Sequence, residues 1–182
     1  MSEPGNTRKM PGLTSHRVTL APPDPSPAAP ERVILDEFLN YYRAVFRRKA
    51  EGIDDAAART AACPPSDLTI LGLVRHMADV ERSWFRRGIA GEQAAPIYYS
   101  DDDPDGDLHV SAADTLDEAL HTWQHEVEHA RSILVDAELD DLERHREQYS
   151  VRWILVHMIE EYARHCGHLD LIREAIDGTT GD

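Results

Sequence analysis

The sequence predicts an all-α protein, a four-helix bundle with a long connection between its second and third helices. Three observations carry this: apolar residues recur at steps of three and four, no alternating apolar run is long enough for a sheet, and four one-sided stripes are separated by turn residues. A length of 182 residues suits one domain plus an extension.

Seven of the 11 prolines fall in residues 1–30, ending in Ala21-Pro-Pro-Asp-Pro-Ser-Pro-Ala-Ala-Pro30. Such a segment offers little to bury and resists regular structure, so it is expected to be a flexible arm before a domain of residues 31–182. The first helix is expected over Glu31–Ala50, with Ile34, Phe38, Tyr41 and Val45 as its apolar stripe and Gly52 closing it. Ser66 is expected to cap the second helix, whose stripe contains Leu73, Met77, Val80 and Trp84 and whose end is marked by Gly88 or Gly91. A polar connection, residues 92–113, follows. The third helix runs over about Thr115–Ala137 with Leu116, Leu120, Trp123, Val127 and Leu134 inward, and the fourth over about Val151–Asp177, before Gly178.

Composition narrows the function classes. Nineteen Lys and Arg against 34 Asp and Glu give a net charge of −15, which repels nucleic-acid phosphates and anionic membranes. No apolar stretch approaches the roughly 20 residues that cross a bilayer, and no signal-peptide core is evident, so a soluble, cytoplasmic protein is expected. Two cysteines, Cys63 and Cys166, are too few for a disulfide framework.

Three residue constellations compete for the chemistry. His125-Glu126-Val127-Glu128-His129 is a literal H-E-x-x-H, the zinc-peptidase spacing. At roughly 100° per residue, however, His121, His125 and His129 form a column opposite the apolar stripe and are expected to face water. Asp101-Asp-Asp-Pro-Asp-Gly106 resembles the opening of a calcium loop, but Ala112 stands where the bidentate carboxylate belongs, so it reads as an acidic, solvent-facing connection.

The third constellation lies on the fourth helix. Glu161 and His165 each point within about 20° of Ile154, inside the apolar stripe. A carboxylate there requires a partner, and the imidazole four residues on is one candidate and a metal ion another. On the second helix His76 lies about 40° from Val80, at the border of the stripe. His76, Glu161 and His165 together make a two-histidine, one-carboxylate set with open positions. Spacing alone equally allows a buried Glu161–His165 hydrogen bond with His76 as a satisfied core histidine. Cys166 points about 100° from His165 and reads as a small core residue.

Two segments carry a resemblance. Leu71-Gly-Leu-Val-Arg-His-Met-Ala-Asp-Val-Glu-Arg-Ser-Trp-Phe85 and Val156-His-Met-Ile-Glu-Glu-Tyr-Ala-Arg-His-Cys-Gly-His-Leu-Asp-Leu171 resemble the DinB-like superfamily, and within it the mycothiol-dependent thiol S-transferase branch, related to mycothiol-dependent maleylpyruvate isomerase. The likeness spans about residues 31–182. It implies a four-helix bundle with a divalent metal between the second and fourth helices, on His76, Glu161 and His165 here, with Zn2+ expected from ligand preference. The implied activity is S-transfer, in which a low-molecular-weight thiol, mycothiol by resemblance, is activated by the metal and attacks an electrophile. No protein side chain is assigned as nucleophile. Trp84, Tyr162 and His168 are candidate thiol-binding residues. The expected partners are therefore a small thiol and an electrophile, with no nucleic acid or membrane and with a homodimer allowed. The alternatives are a thiol-dependent isomerase on the same metal, a non-catalytic metal-binding stress module, and the H-E-x-x-H peptidase.

Overall fold

A computed structural model describes residues 22–181 as all-helical, with no strand among them beyond an isolated bridge between Leu142 and Ser150. The elements are α1 (Glu31–Ala50), a short α2 (Asp55–Ala58), α3 (Ile70–Glu81), π-helical turns that continue α3 over Arg82–Ile89, α4 (Leu116–Leu134) and α5 (Val151–Asp177). Helix α1 packs along α5 and α3 along α4, while α3 also meets α1 and α5. The arm expected over residues 1–30 lies outside the described residues for positions 1–21.

Local chemistry sets the helix ends. Thr69, Thr115 and Ser150 each stand in extended conformation before α3, α4 and α5, and their side chains accept the backbone N–H of Gly72, Glu118 and Trp153. Ser66, expected to cap α3, instead accepts the N–H of Leu68. That local turn keeps residues 66–69 out of the helix, and the cap passes to Thr69. Gly52, Gly91 and Gly178 all have positive φ just past a helix end, where a side chain would be strained. Of the two glycines expected to end the second helix, Gly91 does so; Gly88 lies within the π-helical turns.

The buried face of α1 is rotated from the expected stripe. Leu39, Arg43, Val45, Phe46 and Ala50 are buried, whereas Phe38 is exposed and Ile34 and Tyr41 only half-buried. The cause is an ion pair in the core: Arg43 donates to Glu81 of α3 through Nε at 2.8 Å and Nη2 at 2.6 Å, and both side chains are almost wholly buried. Tyr162 of α5 donates its hydroxyl to the same carboxylate at 2.5 Å and accepts from Trp123 Nε1 of α4 at 2.8 Å. Burial, then the Glu81 charge, pushes the tyrosine hydroxyl well above its ordinary range and keeps it a donor. Each of the four long helices contributes one side chain to this polar centre, and Phe46 packs against both Trp123 and Tyr162.

The polar connection is pinned to α3. Asp79, buried, accepts the N–H groups of Ile97 and Tyr98, and Arg75 donates to the carbonyls of Gly106 and His109 and to Asp114. Gly72 permits the approach, since a Cβ there would stand 3.0 Å from the Leu108 carbonyl. These ties hold residues 105–109 over the middle of α3, which is where His76 lies.

Candidate metal centre

His76 of α3 and His165 and Glu161 of α5 converge, and one donor atom from each lies within 4.8 Å of the other two. Zinc bonds of about 2.0–2.2 Å at tetrahedral angles place donor atoms roughly 3.4 Å apart. His165 Nε2 and Glu161 Oε2 stand at 3.3 Å, and the imidazoles of His76 and His165 have centroids 4.9 Å apart. Small side-chain rotations would close the set.

The other nitrogen of each imidazole is already engaged. His76 Nδ1 lies 2.7 Å from Asp107 Oδ2, and His165 Nδ1 lies 3.2 Å from His168 Nδ1. An Nδ1 proton satisfies both contacts and leaves both Nε2 lone pairs for a cation. Burial, reinforced by His76, His168 and Arg164, pushes the pKa of His165 down to about 3, so its ring is a neutral ligand near pH 7. Glu161 contributes a carboxylate, and the His76 side chain is about one-quarter exposed. The donor set, with two imidazoles, one carboxylate and an outer carboxylate, fits a divalent ion of zinc's type.

A second acidic group shares one of these residues. His157, Glu160 and Glu161 also bring donor atoms within 4.8 Å, but Glu160 is exposed and Arg164 already pairs with both carboxylates. The H-E-x-x-H segment lies elsewhere, on α4: His121 and His125 are exposed, and His129 bonds Glu92 at 2.9 Å. Its Glu126 is buried between Arg82 and Arg86. Cys166 is buried, and desolvation raises its pKa to about 12, which keeps it a thiol.

A family model described as mycothiol S-transferase matches residues 34–178, which include the donors and all of the long helices except the first three residues of α1. The chain belongs to the mycothiol S-transferase family. It is accordingly a mycothiol-related transferase. No curated protein matches it.

Within this member of the family, the three thiol-binding candidates separate. His168 is half-buried and adjoins His165. Trp84 lies farther along the α3–α5 seam, half-buried, its ring 4.8 Å from that of His157. Tyr162 does not join them. One residue beyond Glu161, it is turned by roughly 100° into the interior, where its hydroxyl is committed to Glu81 and Trp123 and nothing of it is exposed. Sequence reasoning missed Asp107, which is buried and orients His76. Its only sequence signal was its place directly after the acidic run that resembled a calcium loop.

Proposed function

We propose that this member of the mycothiol S-transferase family is a metal-dependent S-transferase, with His76, Glu161 and His165 holding a divalent ion, zinc by donor type, and mycothiol as the cosubstrate. The observation that supports it is the convergence of three donors from two helices, with Asp107 behind one of them. When bound, the ion supplies a positive charge that favours the thiolate form of the cosubstrate near neutral pH. Asp107 fixes the His76 tautomer, and His168 takes up the Nδ1 proton contact of His165. Glu161 offsets part of the ionic charge. The α3–α5 seam receives the two reactants; the thiol sulfur forms a C–S bond to the electrophilic carbon, the displaced group leaves with its bonding pair, and the thiol proton passes to solvent. Residues 31–182 constitute the catalytic unit and residues 1–30 an extension. The reduced thiol pool it requires places the enzyme in the cytoplasm.

Elemental analysis of the purified protein, combined with rates for several thiols against a chlorodinitrobenzene, tests the proposal. The transfer rate should rise with pH through an apparent pKa clearly below the roughly 8.5 of a free thiol, and metal removal should abolish activity near pH 7. Cys166→Ser should remain active. Equal rates with and without metal would overturn the reading, and release of unchanged thiol with an isomerised product would make the enzyme an isomerase.

A further inference from the structure

The α3–α5 seam does not end at the metal donors. On α5, His165, Glu161, His157 and Trp153 follow one another at steps of four, so they share one face and each step advances about 6 Å. His157 Nε2 lies 3.7 Å from Glu161 Oε1, and the His157 ring stacks on Trp153 at 5.1 Å and 19°. Trp153 in turn stacks on Tyr149 at 4.4 Å and 29°, while Trp84 meets all three rings edge-on or tilted. Trp153 is 44% exposed and the other three rings are half-buried.

The cluster is held in place from outside α5. Buried Glu143 accepts the N–H groups of His145, Arg146 and Gln148, and the N–H of Arg144 bonds the Gly88 carbonyl, so residues 143–149 fold back on the π-helical turns and seat Tyr149 between Trp84 and Trp153. Yet the indole N–H groups of Trp84 and Trp153 and the Tyr149 hydroxyl have no hydrogen-bond partner among the described residues, unlike Trp123 and Tyr162 in the core. Beside Trp84 and Tyr149 a recess of about 50 Å³, reached by Ser83, Arg87 and His145, has room for one or two polar groups, a water taking roughly 30 Å³.

We infer that this four-ring platform, Trp84, Tyr149, Trp153 and His157, binds the sugar portion of the thiol cosubstrate; the inference rests on the metal-site reading above, which fixes the sulfur end. An electrophilic carbon must approach to about 3.5 Å of the sulfur, whereas Trp153 lies about 12 Å of helix rise beyond Glu161. A group seated there belongs to the distal end of an extended ligand, as the carbohydrate of mycothiol, a sugar-linked thiol, is. Its chemistry matches: the C–H faces of a sugar ring lie against the electron-rich aromatic faces, and its hydroxyls meet the unpartnered N–H and O–H edges and the recess.

The probe is a mycothiol analogue with alanine in place of its cysteine, which has no sulfur to engage a metal. Two of the three tryptophans are on the platform, so intrinsic fluorescence reads occupancy. The analogue should perturb that fluorescence in metal-free and metal-loaded protein alike. Trp153→Ala should weaken analogue binding and raise KM for the thiol by about five- to tenfold, with kcat little changed and KM for the electrophile unaltered. Trp153→Phe, which keeps a ring face, should recover most of the loss. Circular dichroism establishes that the variants fold. Absence of analogue binding, an unchanged thiol KM, or an effect on the electrophile KM instead would overturn the platform. Failure of the metal reading shows separately, as full activity of metal-free enzyme whose analogue binding still depends on Trp153.

Discussion

Replacing Asp107 tests the donor geometry without touching a donor. The residue is 6% exposed and accepts from His76 Nδ1 at 2.7 Å. Asp107→Asn keeps an oxygen able to accept that proton, so the ring orientation survives and only the electrostatic part is lost. Asp107→Ala also leaves the Nδ1 proton unpaired and frees the ring to rotate. Disturbing an outer partner of a metal-binding histidine costs about 10- to 100-fold in affinity, or about 1.4–2.7 kcal/mol. The asparagine variant should fall near the lower bound and the alanine variant near the upper. Competition against a chromogenic zinc chelator at fixed pH measures this, with circular dichroism to verify helicity. Alanine binding within about twofold of the parent protein, while His76→Ala abolishes binding, would refute the idea that Asp107 positions the ligand. An asparagine loss exceeding the alanine loss would refute the division between charge and orientation.

Other outcomes follow from the same structure. Glu161→Gln should weaken metal binding by about 10- to 100-fold in equilibrium dialysis while His125→Ala leaves it unchanged, and the reverse pattern would move the site to the exposed column on α4. In metal-free protein, His165 has its pKa depressed to about 3, mainly by burial, so the unfolded chain binds the extra proton between about pH 6.5 and 3. Stability measured in urea should therefore decline as pH falls through that window, and a His165→Gln variant should lose less. Arg43→Met leaves the Glu81 carboxylate buried with only Tyr162 as donor, and should cost about 3–5 kcal/mol in a denaturant titration; a loss below about 1 kcal/mol would show that the pair contributes little.

The resemblance carried by the segments around His76 and Glu161–His165 pointed to the family that the match over residues 34–178 shows. What the sequence determined by itself is what neighbouring residues settle between themselves. The limits of α1 and α5 coincide with those read from periodicity, and Thr115 opens α4, because apolar spacing and capping act within a turn or two of the chain. The Glu161 and His165 side chains were legible as neighbours for the same reason, being one turn apart on a single helix. The tertiary structure decided wherever the partner is remote in sequence. Arg43 lies in the core because Glu81, 38 residues on, neutralises it, and an arginine on the inner face rotated α1 away from the stripe its apolar residues suggested. Tyr162 turned out to belong to that polar centre because Glu81 and Trp123 take up its hydroxyl. Asp107 reaches His76 from 31 residues away, in a connection without regular structure, held there by Arg75 and Asp79. A charged residue is soluble anywhere on a surface and costly inside unless paired, so its place depends on whether a partner arrives, and only the folded chain brings that partner.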